Sequence, residues 1–354
     1  MLNFIPSDGI NVIYGLNGSG KTSLLDGIHY CALTRGFVSA ADSEYLSFSS
    51  DFFLLESNFF SESESLISVK IAYTKEREKQ IIVNNCDVKS YSNHIGRIPC
   101  ITFSPPEIII VNGAPSERRR FIDSAICQIN KRYLDDLIAY KRVLHQRNAL
   151  LLLLRDHHTT HPEMLSLWTE NISRLAASIV HTRVLFILAF LVRFRELYGQ
   201  LSINEYPSIN YRSSLGKISA DISPEALYVL FRAKYEETEK QEIFRAQTLS
   251  GPHRDDLVFL INEKEIKKYA SQGQLRTFLI GLKLSQHRFY YDSLGEKPLC
   301  LLDDIFSELD GSRIADIFNI LENCGQIIIT SAEQKGHGNV NIISVESLKK
   351  MGAI

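Results

Sequence analysis

Several common signals are missing from this 354-residue chain, and each absence excludes something. The six cysteines, at 31, 86, 100, 127, 300 and 324, form no C-x-x-C pair and no metal-ligand spacing. That argues against a zinc module or a disulfide framework and for reduced, packed thiols. There is no excess of basic charge, since 39 Lys and Arg face 41 Asp and Glu for a net charge of −2. No global field therefore draws the chain to nucleic acid, and any DNA contact needs a local basic surface. The most apolar run, Ile179–Val192, is interrupted by His181 and Arg183 and flanked by Arg193 and Arg195, too short and too charged to span a bilayer. Met1–Gly9 lacks the basic and apolar regions of a signal peptide. Internal repeats and low-complexity tracts are absent as well. The expectation is a soluble, cytoplasmic protein without a membrane partner.

What is present is an ordinary globular composition, 45% apolar and 23% charged, in a chain long enough for two domains or one with a large insert. Three regimes follow one another. Up to about Ser104 the pattern is strand-rich: Ile10–Tyr14 is a short strand, Lys21–Leu33 a helix, and Leu66–Tyr73 with Gln80–Val88 a hairpin across a charged turn. Pro105 and Pro106 then mark a boundary. Arg118–Arg155 reads as one long helix, with Ile122, Ile126, Ile129, Tyr133, Leu137, Tyr140 and Leu144 along one face. A second helix runs to about Tyr198 with a stripe through Trp168, Ile172, Leu175, Ile179, Phe186 and Phe190, so the pair suggests an antiparallel hairpin. From about Thr248 strands and helices alternate again, with Leu257–Ile261, Pro298–Leu302 and Gln326–Thr330 as strands and Gly273–Tyr291 as a helix.

The first chemical signal lies between the first strand and first helix. Gly15, Leu16, Asn17, Gly18, Ser19, Gly20, Lys21 and Thr22 fit G-x-x-x-x-G-K-S/T, a phosphate-binding loop, in the strand–helix context that motif requires. Backbone N–H groups and the helix N-terminus would cradle phosphate, Lys21 would reach the β- and γ-phosphates, and Thr22 would hold Mg²⁺. About 280 residues later the buried run Leu299–Leu302 ends in Asp303 and Asp304. Asp303 is expected in the Mg²⁺ shell and Asp304 as the base that orients the attacking water. An apolar run ending in two aspartates is weak alone and strong beside a phosphate loop.

A third element sets the subclass. Ser271, Gln272, Gly273 and Gln274 open an apolar helix some thirty residues before Asp303. Taken alone they form a plain helix cap. In a chain with one phosphate loop, a second phosphate-binding N-terminus is best explained if Ser271, Gly273 and Gln274 contact the nucleotide of another copy. Ser307–Asp310 would then line the dimer seam, and Thr330 and Ser331 would sense the γ-phosphate.

With these residues in place, the chain resembles the RecF family of bacterial recombination and gap-repair ATPases, related to the heads of SMC proteins. The likeness covers nearly the whole chain. It includes Phe103-Ser-Pro-Pro-Glu107, Gly113-Ala-Pro-Ser-Glu-Arg-Arg-Arg-Phe-Ile-Asp123, Ser250-Gly-Pro-His-Arg-Asp-Asp256, Ser271-Gln-Gly-Gln274 and Leu302-Asp-Asp-Ile-Phe-Ser-Glu-Leu-Asp310. The resemblance implies ATP-dependent dimerisation on double-stranded DNA near single-strand gaps, weak ATP hydrolysis, and cooperation with RecR and RecO. It also implies a further first strand, with an Asn-Phe-Arg-Asn-aromatic motif, ahead of the segment where this sequence opens. Either the true start lies upstream of Met1, which is the expectation, or the adenine side of the site and the sheet edge are altered.

Other candidates carry plainer readings. His157, His158 and His161 sit in a polar loop without a ligand cage. His253–Asp256 is either a turn entering a strand or a group beside the nucleotide or the dimer seam. Between Glu117 and Arg147 eight basic residues (Arg118, Arg119, Arg120, Lys131, Arg132, Lys141, Arg142 and Arg147) meet four acidic ones. They form either a solvated face with pairs such as Lys131 and Asp135, or a phosphate-contacting surface that binds backbone and shape rather than base order. The family resemblance favours DNA.

The expected architecture is an α/β ABC/SMC-like P-loop ATPase head built from residues 1–104 and 246–354, with a helical arm or lid domain, 105–245, inserted between them. ATP and Mg²⁺ are the expected cofactors and an ATP-dependent homodimer the expected assembly. Two alternatives remain: the nucleotide-binding subunit of an ABC-type transporter, and an ATP-switched scaffold with little DNA affinity. Against the transporter stand the arm and the Ser-Gln-Gly-Gln motif.

Overall fold

The structure, a computed structural model, describes residues 2–38, 41–47, 49–156, 163–307, 311–334, 336 and 338–351. His157, His158, His161 and Glu308–Asp310 lie outside the described residues. The chain divides into two compact units, one of Met1–Ile108, Glu196–Asn204 and Ser271–Ile354, the other of Ile109–Arg195 and Glu205–Ala270. Elements are numbered in chain order.

The first unit is built on a parallel sheet of β12 (Val340–Ser344), β1 (Ile10–Tyr14), β11 (Ile327–Ser331), β10 (Leu299–Asp303) and β6 (Cys100–Phe103), in that order. Every pairing is parallel, which needs crossover connections and buries both faces; the near-continuous apolar runs Ile-Asn-Val-Ile and Ile-Ile-Ile reflect that. In register, Tyr14 lies opposite Ser331 and Asp303 opposite Thr330, so the carboxyl ends of β1, β10 and β11 come together although the first ends at Tyr14 and the second begins only at Leu299. That crevice is where ligands bind in open α/β sheets.

Helix α1 (Lys21–Leu33) buries Leu25, Tyr30, Cys31, Ala32 and Leu33 in a core shared with Ile13, Leu301 and Ile328 of the parallel sheet. The other side of that core is an antiparallel sheet in the order β2 (Phe52–Phe60), β3 (Leu66–Thr74), β4 (Lys79–Val83) and β5 (Cys86–Asp87), which adds Val69, Ile71, Ile81 and Val83. The expected hairpin is β3–β4; the edge strand β2 has no counterpart among the predicted elements. Lys79 ties this sheet to the end of α1, donating to the Thr34 carbonyl (2.5 Å) and to Asp42 (3.0 Å), with its ammonium 4.6 Å from the Tyr30 ring. Helix α8 (Gln272–Leu294) packs against β6, and α9 (Gly311–Leu321) and α10 (Val345–Met351) complete the unit.

The second unit differs from the expected all-helical arm. The predicted single helix Arg118–Arg155 is two, α3 (Pro115–Ile129) and α4 (Lys131–Arg155), following the short α2 (Ile109–Asn112). Asn130 is the cause: its φ of −138° leaves the helical region, and its side chain accepts from the Tyr133 N–H to cap α4. Helix α5 (Glu163–Leu201) runs antiparallel to α4, as the contacts of Asp136 with Ser178, Arg147 with Thr169 and Leu150 with Leu165 require. Its length and apolar character match a membrane span, but half of its apolar window is buried inside the fold. Leu257–Ile261 does not join the parallel sheet. As β8 (Asp256–Ile261) it pairs antiparallel with β7 (Pro207–Arg212) and with β9 (Lys264–Glu265). Residues 246–270 therefore belong with the inserted unit, which also holds α6 (Pro224–Arg245) and α7 (Ile266–Tyr269). The units divide at 108/109 and 270/271, with 196–204 returning to the first, rather than at 104/105 and 245/246.

A candidate nucleotide site

Local backbone conformation shapes the loop after β1. Gly18 and Gly20 have φ of 77° and 97°, values a side chain would strain, and Gly20 is the N-terminal cap of α1. Gly15 meets a different constraint, since a Cβ there would lie 3.3 Å from both the Ser19 hydroxyl and Val345. Leu16 and Asn17 are exposed at the loop tip, while Lys21 is buried and donates to the carbonyls of Gly15 (2.6 Å) and Leu16 (3.0 Å). The Ser19 hydroxyl is buried in the loop and finds no partner among the described residues. An orphaned donor among backbone N–H groups and a lysine suits an anionic ligand.

Across the crevice, Thr22 donates to Asp303, with both carboxylate oxygens 3.0 Å from its hydroxyl. The Thr330 hydroxyl donates to the same carboxylate (2.5 Å). Asp304 begins the loop after β10 in a left-handed conformation, φ 47°, uncommon for a residue with a side chain. Its N–H is held by the carbonyl and hydroxyl of Thr330, each at 3.1 Å. Lys21, Thr22, Asp303 and Thr330 thus gather at the carboxyl ends of β1, β10 and β11, with Asp304 beside them. The two hard oxygen donors Thr22 and Asp303 fit Mg²⁺, which takes one or two protein ligands and completes its shell with phosphate and water.

Ser271 and Gln274 form a reciprocal cap at the start of α8: the Ser271 hydroxyl accepts from the Gln274 N–H (3.2 Å), and the Gln274 side-chain Oε1 accepts from the Ser271 N–H (2.9 Å). Gly273 between them is not demanded by the fold, because its φ is ordinary and the nearest atom to an added Cβ would be Arg313 Nη1 at 3.6 Å.

Further residues that hold this region carried no assigned role in the sequence. Asp26 and His29 on α1 anchor the following turn, Asp26 by accepting from the Phe37 N–H (2.7 Å) and His29 by its 2.8 Å contact with the Arg35 carbonyl. Burial pushes the Asp26 carboxyl above its usual range and takes the His29 imidazole down to about 3. Glu107 accepts from the Ser104 N–H (2.9 Å) and pairs with Lys283 of α8 (2.5 Å), so the Phe103–Glu107 motif ties the end of β6 to α8. Arg276 of α8 donates to Ser307 and to the Asp304 carbonyl. For Asp26, His29, Arg276 and Lys283 the signal was an ionisable residue on a helix with an apolar face, and for Glu107 its motif, but neither names a partner.

The basic stripe of the second unit is largely structural. Arg118 makes a two-pronged pair with Asp256 (2.8 and 3.0 Å) and Arg119 donates to the Asp255 carbonyl (2.8 Å), which interlocks the Pro115–Arg120 and Ser250–Asp256 motifs. Asp255 is buried, accepts from Tyr211 and from the Ser214 N–H (2.6 Å), and is raised above the usual carboxylate range by burial. Arg147 is completely buried against Glu242, Arg120 pairs with Glu117, and Lys131 with Asp135. Arg132, Lys141, Arg142 and, in the second motif, Arg254 are exposed. A cavity of about 880 Å³ lies elsewhere, at the amino ends of β10 and β11, lined by Ile28, Phe59, Ile67, Leu299 and Ile328; none of the phosphate-loop residues lines it.

Comparison with known proteins finds relatives along nearly the whole chain. A family described as an AAA domain matches residues 1–174. The DNA replication and repair protein RecF of Chlorobium phaeovibrioides is 53% identical over 335 residues, 95% of this chain and 90% of the relative. That of Chlorobaculum tepidum is 45% identical over 349 residues, covering 99% and 95%. Among solved structures, the recombination mediator protein RecF-ATP of the RecFOR pathway superposes with a TM-score of 0.89 at 30% identity, over 95% of this chain and 89% of that one. An Smc head domain from Pyrococcus furiosus shares the fold, with a TM-score of 0.51 at 15% identity over 92% and 84%.

Proposed function

This chain belongs to the RecF family of DNA replication and repair proteins, and from that premise and the site geometry we propose an ATP-switched protein that closes as a dimer on duplex DNA beside single-strand gaps. Family membership replaces the alternative of a transporter subunit. The observation that carries the reading is the meeting of Lys21, Thr22 and Asp303 at the carboxyl ends of β1 and β10. Residues Gly15–Thr22 bind the phosphates of ATP, and Thr22 and Asp303 hold Mg²⁺, which neutralises phosphate charge when bound. Asp304 orients and deprotonates the attacking water.

The second half of each site comes from another copy. Ser271, Gly273 and Gln274 present a helix N-terminus, and a glycine in the first turn that the isolated fold does not need leaves room for close approach of phosphate. ATP stabilises the closed dimer only through its greater affinity for that state, so hydrolysis acts as a timer. DNA contacts fall to the exposed cations Arg132, Lys141 and Arg142 and are made to backbone rather than bases. RecR and RecO are the expected protein partners, and the cytoplasm the expected compartment.

Sedimentation of the purified chain with ATP, ADP or no nucleotide tests this. ATP with Mg²⁺ gives a dimer, Lys21→Ala abolishes it, and Asp304→Asn slows hydrolysis and prolongs it. A monomer under all conditions, or an ATP-driven dimer of Lys21→Ala, would refute the shared site.

A further inference from the structure

A continuous run of hydrogen bonds joins the two phosphate-binding elements of a single chain. Arg276 lies on α8 just after its first turn, on the helix that Ser271 caps. Its Nη2 donates to the Ser307 hydroxyl at 2.6 Å and to the Asp304 carbonyl at 3.3 Å. The Asp304 N–H donates in turn to Thr330, whose hydroxyl donates to Asp303. Asp303 accepts from Thr22, the last residue of the phosphate loop. The backbone of Asp304 is therefore held at both of its polar groups, by β11 at the N–H and by α8 at the carbonyl. Its φ of 47° lies in the left-handed region, which aspartate tolerates better than most side chains, and these two contacts fix it there. The direction of the Asp304 carboxylate follows from that backbone.

We infer that Arg276 is a positioning residue that makes Asp304 of one chain responsive to the nucleotide its own Ser271 and Gly273 contact on a second copy. Phosphate arriving at the N-terminus of α8 acts on the helix that carries the guanidinium. The 3.3 Å bond to the Asp304 carbonyl is long for N–H···O and has room to tighten. Loading of the partner's site thereby selects the backbone state that aims Asp304 in the chain's own site. The two sites of a dimer then fire together rather than independently. This rests on the shared-nucleotide reading above.

The test uses the full chain, steady-state hydrolysis across ATP concentrations, and sedimentation in ATP. Arg276→Gln keeps ATP affinity and dimer fraction within about twofold. Its kcat falls at least tenfold, and the Hill coefficient drops from above 1 to 1. Arg276→Lys, able to reach one acceptor, recovers part of both; Ser307→Ala, which removes the other acceptor, shows a smaller loss in the same direction. An Arg276→Gln dimer with unchanged kcat and Hill coefficient overturns the coupling alone. So does a loss of kcat with cooperativity intact, the outcome of a merely structural role. If Arg276→Gln fails to fold, unchanged cooperativity in Ser307→Ala overturns it. Failure of the unsubstituted chain to dimerise with ATP overturns both this inference and the reading beneath it.

Discussion

At the scale of single residues, glycines separate fold from function. Gly251 is required by the fold: its φ is 129° and a Cβ would lie 2.4 Å from the Tyr140 hydroxyl. Gly273 has neither constraint, and a helical glycine costs about 0.5–1 kcal/mol relative to alanine. Gly273→Ala is therefore expected to leave the thermal midpoint unchanged or slightly higher while weakening ATP-driven closure. Paired thermal melts and sedimentation runs check it; a variant that melts early and closes normally reverses the assignment. Asp304 shows the opposite compromise. It holds a left-handed backbone, which aspartate adopts more readily than most residues, and Thr330 and Arg276 hold it there.

At the scale of elements, the second unit is held by buried charges rather than by helix faces alone. Arg147 of α4 pairs with Glu242 of α6 at 2.6 Å, donates to Thr248 at 2.8 Å, and stacks 4.9 Å over the Tyr235 ring, all without exposure. Breaking one partner strands the other, at a cost of about 3–5 kcal/mol, whereas replacing both with apolar residues is near neutral. Arg147→Met should thus lower stability to denaturant by that amount, and Arg147→Met with Glu242→Leu should restore most of it. Equal losses in the single and double variants would show that the pair is not the source.

These elements also show what the sequence made legible. Hydrophobic period and the glycine-lysine motif located β1, α1, α8, β10 and β11 closely, because each pattern is local. The split at Asn130 escaped because the apolar stripe continues in phase from Ile126 through Tyr133 and Leu137, and only the cap reveals the break. The placement of Leu257–Ile261 escaped because a short apolar strand looks alike in any sheet; its partner, Pro207–Arg212, lies 45 residues or more away in a segment read as helical. Likewise, Arg118 and Arg147 look like surface cations until Asp256 and Glu242 are seen beside them. The Thr22–Asp303 pairing was legible because the phosphate-loop motif says what its distant partner must be.

At the scale of the whole molecule, stability should be acid-sensitive in a definite window. Burial lowers His253 and His287 to about 4 and His29 to about 3, so all three stay neutral in the fold while the unfolded chain protonates them near 6.5. Between about pH 6.5 and 4 the unfolded state holds more protons, and stability falls as pH falls. Each histidine contributes on the order of 1–3 kcal/mol to that loss. Asp26 and Asp255, raised by burial, act with the opposite sign, in a window that opens upward from the ordinary carboxylate value of 3.8. With the histidine term dominant, urea midpoints should be flat above pH 7 and drop steadily toward pH 4.5. A flat profile across that range would mean the imidazoles are hydrated.

An ATP-gated clamp should reveal itself in binding of the purified chain to a fluorescent gapped duplex, with ATP and with ADP, across a salt series. Tight binding is expected with ATP alone, with an affinity that falls steeply as salt rises because backbone contacts release counterions. Equal and weak binding in both nucleotides would contradict it, leaving the ATP site intact but detached from DNA.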